Sequence, residues 1–185
     1  MTQTQNAESD NRLPPPVRPR TAARLGAVQA LFQMGQNGDT AESVIIQFER
    51  HRFGVTLAGA SWEEGQIPEA DTRLFASIVR AAALHRAAID AKLEGALPAS
   101  WPMNRLDPVL RAIITAALAE SEASDPPPIN VLINEYLDIA HGFFSGDEPG
   151  MINGVLDAIL LRRNGTEKEA APAENTSETG DNASS

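Results

Sequence analysis

The sequence predicts an all-α protein with six or seven helices in two groups. Only 5% of the residues are aromatic, whereas alanine and leucine are plentiful. This composition favours helices packed through aliphatic side chains over sheets rich in β-branched and aromatic residues. With 185 residues, 42% of them hydrophobic, the chain is long enough for one core and short for two domains.

Apolar residues recur at helical spacing in three segments of the first half. The predicted helices are residues 20–36, Thr40 to about Arg52, and a longest helix over about 69–94. Gly35 and Gly38 end the first helix, and Asp39 or Thr40 caps the second. Residues 53–68 are predicted to form a loop.

The second half repeats this pattern. Three more helices are predicted, at about 107–121, 129–144 and 150–161. Pro108 starts the first of them, and the prolines of the segment "DPPP" end it. The predicted organisation is a disordered, Pro-containing arm over residues 1–17, a helical domain over 18–163 and a disordered acidic tail over 164–185.

Charge is spread unevenly along a chain with a formal net charge of −10. Residues 11–35 contain four arginines and no acid, whereas residues 164–185 contain five acids and one lysine. Net acidity argues against indiscriminate nucleic-acid coating, yet it permits a small basic site with few contacts.

Several classes of chemistry are not expected. The chain has no cysteine, which excludes disulfides, thiolate zinc sites and a cysteine nucleophile. His51, His85 and His141 lack the spacing of metal ligands, and no phosphate loop or nucleophile elbow is present. The expectation is a protein that is not an enzyme and holds no cofactor.

Neither a signal peptide nor a membrane-spanning segment is recognised in the sequence. A cytoplasmic protein is therefore the expectation.

Arg18, Arg20 and Arg24 stand at the start of the first predicted helix, and the last two share one helix face. One interpretation is an ordinary solvated helix start. The other is a site for an anionic ligand, because the helix dipole disfavours cations at an N-terminus unless an anion compensates them.

Three polar or small residues interrupt apolar helix patterns. Asn153 lies between apolar pairs, so its amide is expected either to hydrogen-bond between two helices or to contact a partner directly. Gly26 and Gly154 lie inside helices, where glycine costs about 1 kcal/mol relative to alanine. Close approach of another helix or of a ligand is the expected reason.

Four stretches follow one another from about Arg20 to Leu161: "AARLGAVQALFQM", "WPMNRLDPVLRAII", "INEYLDIAHGFF" and "DEPGMINGVLDAIL". Together they resemble the NusB family of bacterial transcription antitermination factors. The resemblance implies an all-helical domain of two small bundles. It also implies binding of boxA RNA, a single-stranded element, together with the ribosomal protein NusE, within an RNA polymerase antitermination complex that reads through terminators in ribosomal RNA operons.

The resemblance further implies roles for individual residues. The RNA-binding residues carried over are Arg18, Arg20, Arg24, Gln29, Asp147 and Met151. Phe32 and Leu110 are expected at the protein partner, and Asn153 and Glu135 are expected to be structural polar residues. The family's dense arginine run is interrupted here by Thr21, Ala22 and Ala23, which predicts weaker intrinsic RNA binding.

Two other functions are alternatives to RNA binding. The first is a protein interaction module with the same fold and little RNA binding, since the arginines are sparse. The second is a ribosomal RNA cytosine methyltransferase, which can begin with a NusB-like domain, but this chain has no cysteine nucleophile. Self-association is left open, because family members differ in whether they form homodimers.

Overall fold

The computed structural model describes residues 18–54, 67–68 and 70–169, and in this part of the chain seven α-helices dominate. They are α1 (Pro19–Asn37), α2 (Ala41–His51), α3 (Thr72–Leu84), α4 (Arg86–Ala96), α5 (Pro108–Ser121), α6 (Ile129–Phe143) and α7 (Glu148–Glu169), with a short 3₁₀ turn at Met103–Arg105. The predicted all-α fold is confirmed.

The helices form two groups that share α5. Helices α1, α2 and α3 pack on one another and, through α1 and α3, on α5, while α4, α6 and α7 contact it from the other group. Most of α5 is therefore buried, including Leu110, Ile113 and Ile114. A helix that is apolar on nearly every side is stable only inside such a core.

Local signals set most helix ends. The Thr40 hydroxyl accepts a hydrogen bond from the Ser43 amide, and the Asp107 carboxylate accepts from the amides of Val109 and Leu110. Such side chains satisfy amide groups that a helix start leaves without partners. Gly38, with φ of +74°, ends α1 in the left-handed conformation that glycine adopts without strain.

The long helix predicted over residues 69–94 is wrong. The chain breaks at His85, where φ is −100° and ψ is 15°, and separates α3 from α4. The buried face of α3 packs on α1, α2 and α5, whereas α4 packs on α5 and α7. Because of this break, the buried face of α3 contacts one helix group and the buried face of α4 contacts the other. His85 itself is exposed.

Two further predictions need correction. Part of the predicted loop at residues 53–68 forms a parallel pair of two-residue strands, β1 (Phe53–Gly54) and β2 (Ile67–Pro68), with Phe53 opposite Ile67. The domain boundary predicted at residue 163 falls inside α7, which continues to Glu169. Residues 1–17 and 170–185 lie outside the described residues, so the predictions made for them stay predictions.

Candidate functional site

Two exposed arginines mark the start of α1. Arg18 is the N-cap residue, Pro19 opens the helix, and Arg20 follows. Both arginines are exposed, and neither has an ion-pair partner within the described ranges. The cap lacks a side-chain acceptor, and the first turn has no acid. The helix start therefore combines two unneutralised cations with uncapped amides, an arrangement that favours an anion.

Arg24, one turn further along α1, has the opposite surroundings. Its side chain is only 3% exposed. Its Nε donates to Oε2 of Glu120 at 2.9 Å, its Nη2 to Oε1 of Glu120 at 2.7 Å, and its Nη1 to Oε2 of Glu135 at 2.7 Å. A planar guanidinium matches a carboxylate in this two-point geometry.

Two hydroxyls complete this buried ion cluster, which consists of Thr21, Arg24, Glu120, Glu135 and Tyr136. The Tyr136 hydroxyl donates to Glu120 at 2.9 Å, and the Thr21 hydroxyl donates to Glu135 at 2.9 Å. Both carboxylates thereby have at least two donors, which offsets the cost of removing them from water.

Burial and the charges of the cluster together shift two pKa values. Burial alone would lower the pKa of Arg24, but the hydrogen bond and the charge of Glu120 outweigh burial and raise it. Burial raises the pKa of the Tyr136 hydroxyl well above its usual value, and the charge and hydrogen bond of Glu120 act in the same direction. Arg24 therefore stays charged and Tyr136 stays neutral at physiological pH.

This geometry contradicts the prediction that Arg24 contacts RNA. Each of its three nitrogens donates to one of two carboxylates, and the side chain is only 3% exposed, so a phosphate cannot reach it without opening the fold. Glu135, expected as a structural polar residue, joins α6 to α1 through this cluster.

Two further predicted RNA contacts, Asp147 and Met151, lie before α7 and in its first turn, and they differ in exposure. Asp147 is exposed, and its carbonyl accepts the Met151 amide at the start of the helix. Met151 is 8% exposed and belongs to the hydrophobic core. The prediction that Met151 contacts RNA is therefore wrong for this structure, because its side chain packs inward.

For Asn153 and Gly154 the expected contact with another helix is corrected, whereas the alternative of a partner or ligand contact stays a prediction. The Asn153 amide donates to Asp157 at 3.3 Å, four residues further on the same helix, so it does not join two helices. An added Cβ at Gly154 would meet nothing within 4 Å. No neighbouring helix in the described part of the chain requires a glycine at this position.

A cleft at the other end of α1 contains Gln29. We call it the amide cleft; it has a volume of about 410 Å³ and is lined by Gln29, Phe32, Gln33, Arg52, Val109 and Phe143, among others. The Oε1 atom of Gln29 is buried and has no hydrogen-bond partner among the residues that the structure describes. Arg52 and Phe143 were not predicted as site residues. Arg52 directly follows α2, whereas Phe143 is the last residue of α6.

Phe32 also borders a second depression, the α1–α5 groove, with a volume of about 470 Å³. Its lining includes Phe32, Arg86, Asp90, Leu106, Arg111 and Thr115. Phe32 is 38% exposed, in line with the prediction of a partner contact. Leu110 is fully buried, so the prediction that it contacts a partner is wrong.

Two other classes of site are absent from the described ranges. No group of three His, Asp or Glu side chains there could hold a metal ion. No helix among these residues has both the length and the apolar character needed to cross a membrane.

The fold and these surfaces define a small helical domain of two packed groups, with an exposed cationic start to its first helix. The NusB family matches residues 21–161, and the chain belongs to this family. The protein named "Transcription antitermination protein NusB" from Gluconobacter oxydans is 54% identical over 150 residues, which cover 81% of this chain and 91% of the relative. The protein of the same name from Caulobacter vibrioides is 41% identical over 143 residues, covering 77% and 93%.

Solved structures agree in fold. The structure titled "T. maritima NusB" has a TM-score of 0.62 at 23% identity, covering 83% of this chain and 99% of its own. The solution structure of NusB from Aquifex aeolicus has a TM-score of 0.59 at 21% identity, covering 87% and 100%. At these identities the similarity establishes the fold alone.

Proposed function

We propose that this protein is a transcription antitermination factor that binds boxA RNA together with the ribosomal protein NusE. Its place is in the RNA polymerase complex that transcribes ribosomal RNA operons, and thus in the bacterial cytoplasm. The observation that carries the RNA part is the exposed start of α1, where Arg18 and Arg20 have no acidic partner among the described residues. Family membership and the names of the relatives support the antitermination role.

The proposed RNA contacts are Arg18, Arg20, Asp147 and Gln29, without Arg24 and Met151. With Arg18 and Arg20 as the phosphate contacts, log K should fall with log salt with a slope of about −1.4. Between 50 and 200 mM salt this is a loss of about sevenfold, much smaller than for a heavily basic protein.

The proposed protein contact is the α1–α5 groove. Phe32 offers an exposed aromatic side chain there, and aromatic anchors are frequent at the centres of interfaces. Ribosomal proteins are basic, because they bind RNA, and the net charge of −10 favours their approach. Leu110 has no part in this proposal, because it is buried.

The test is fluorescence anisotropy of labelled boxA RNA, titrated with the protein alone and with NusE, against a scrambled RNA. The variant Arg20→Glu should strongly weaken boxA binding, because a phosphate contact is replaced by a repelling charge, while leaving NusE association unchanged. Arg73→Glu is the matched control, since Arg73 is also the exposed second residue of a helix. Equal RNA affinity of the two variants would refute the RNA site.

The protein interaction module is the second candidate function, and the burial of Arg24 favours it, because it removes one of the three expected phosphate contacts. In that case NusE binds and no RNA binds, with or without NusE. The same titration therefore separates the two functions.

A further inference from the structure

The amide cleft lies at the far end of α1 from the exposed arginines. Arg24 meets Glu120 and Glu135, whereas Phe32 lines a cleft with Val109 and Phe143. These contacts require α1 to run antiparallel to α5 and parallel to α6. Gln29 lines the cleft nine residues after Arg20, so it lies about 14 Å from Arg20 along the helix.

The amides that line this cleft are not equivalent. Gln33 donates to Asp39 and to Gln47, and Asn37 donates to Asp39, so both have partners in the protein. Gln29 has none among the described residues, although its Oε1 is buried. A buried acceptor without a donor is unfavourable, and a ligand N–H would satisfy it.

Aromatic rings and one cation also line the amide cleft. Phe32 and Phe143 are 38% and 46% exposed. The guanidinium of Arg52 lies 5.6 Å from the centre of the Phe48 ring and has no ion-pair partner in the described part of the chain. Exposed aromatic rings beside a cation are the elements on which single-stranded nucleic acids stack.

We propose that the amide cleft binds one nucleobase of the RNA, with Gln29 Oε1 accepting an N–H from the base edge and Phe143 stacking on the base. This inference rests on the proposed RNA-binding function and adds a base contact to the phosphate contacts at Arg18 and Arg20. A phosphate cannot satisfy Gln29 Oε1, because its ionised oxygens only accept hydrogen bonds, whereas every base has an N–H donor. The cleft volume lies in the range of small-molecule sites, about 300–1,000 Å³.

Phe32 is unsuitable for testing this inference, because it borders both the amide cleft and the α1–α5 groove. Gln29 and Phe143 border the amide cleft and not the α1–α5 groove. Gln29→Met keeps the length of the side chain and removes the acceptor. Asn130→Met is the matched control, since Asn130 is an exposed amide in the first turn of α6.

The experiment is the boxA titration in the presence of NusE, with the wild type, Gln29→Met, Phe143→Leu and Asn130→Met, at two salt concentrations. Gln29→Met should weaken binding about fivefold, the factor for one net hydrogen bond, with an unchanged salt slope because no phosphate contact is lost. Phe143→Leu should weaken it at least as much, because a base loses its stacking partner. Thermal melting of Gln29→Met should match or exceed the wild type, since a buried acceptor without a donor is removed.

A scan with single abasic sites in the RNA identifies the bound base. In the wild type one abasic position should weaken RNA binding most. In Gln29→Met the loss of affinity at that position should be smaller, while the losses at the other positions should be unchanged. If Arg20→Glu weakens RNA binding and Gln29→Met does not, the base site is refuted and the RNA function stands. If Gln29→Met weakens NusE association without RNA, the cleft is a protein surface and the inference is wrong. If the wild type binds no RNA, the proposed function fails, and the base site fails with it.

Discussion

Arg20 and Arg24 lie one turn apart on α1, and their surroundings differ completely. Arg20 is exposed and has no ion-pair partner among the described residues, whereas Arg24 is 3% exposed and bound to Glu120 and Glu135. Those partners are 96 and 111 residues away in sequence. The same residue type is therefore exposed at one position and joins helices one turn later, because α5 and α6 present carboxylates only to Arg24.

The buried ion cluster also bears on the exposed surfaces. It joins α1 to α5 and α6, the three helices that also border the amide cleft, and it lies just beyond the cationic start of α1. A change at Arg24 should therefore alter stability first and binding only as a consequence. A change at Arg20 should alter binding alone, and this difference can be measured.

The largest expected effect is the loss of Arg24. Arg24→Met leaves Glu120, which is 1% exposed, without its cation. The free energy of unfolding should fall by about 3–5 kcal/mol, the typical cost of breaking a buried ion pair from one side. Arg20→Met should change it by less than about 0.5 kcal/mol. Urea denaturation followed by circular dichroism measures both.

Equal stability of Arg24→Met and Arg20→Met would contradict this distinction between the two arginines. If Arg24→Met does not fold, Arg24→Lys is the substitute, because lysine keeps the charge and loses the two-point contact with Glu120. Adding Glu120→Gln to Arg24→Met should recover part of the loss, since the unpaired buried charge is removed.

A smaller effect is expected at Tyr136. Tyr136→Phe keeps the buried ring and removes the hydroxyl that donates to Glu120 at 2.9 Å. The unfolding free energy should fall by about 1.5–3 kcal/mol, as for hydrogen bonds to charged groups. Thr21→Val is the control, and its effect should be smaller because Glu135 is partly exposed. A larger effect of Thr21→Val would contradict this order and would mean that Glu135 contributes more to the unfolding free energy than Glu120 does.

The smallest expected effect appears only at alkaline pH. Tyr136 is the single tyrosine of the chain, so tyrosinate absorbance reports this residue alone. Because burial raises its pKa in the folded state, ionisation should occur well above pH 10, whereas the urea-unfolded chain should ionise near 10. Above pH 10 the unfolded chain loses a proton that the folded protein keeps, so this contribution to stability is complete below pH 10 and declines as pH rises. Ionisation of the folded protein near pH 10 would contradict the buried cluster.

Much of the fold was predictable, because helix ends depend on neighbouring residues. The end of α1 at Gly38, the Thr40 cap and the start of α5 at Pro108 all follow local chemistry. The break between α3 and α4 was not predictable in this way. No glycine or proline stands near His85, and the chain turns there because α3 packs on α1, α2 and α5, whereas α4 packs on α5 and α7.

The candidate site was predictable only in part. The cationic start of α1 and the exposed Phe32 follow from the sequence and its family resemblance. The apolar spacing of α5 and α7 agrees with the burial of Leu110 and Met151, whereas the contact roles that the resemblance implied for these two residues do not. The amide cleft was missed, because its residues come from α1, α5, α6 and the residues around the end of α2.

By itself, the sequence determined the helical class, most helix ends, the uneven charge and the family motifs. These properties depend on composition and on interactions a few residues apart, which a linear sequence displays directly. Only the tertiary structure decided that Arg24 is bound by two carboxylates while Arg20 is exposed. It also decided that the buried Oε1 of Gln29 has no donor among the described residues. Both outcomes depend on side chains about a hundred residues apart that meet only when α1, α5 and α6 pack together.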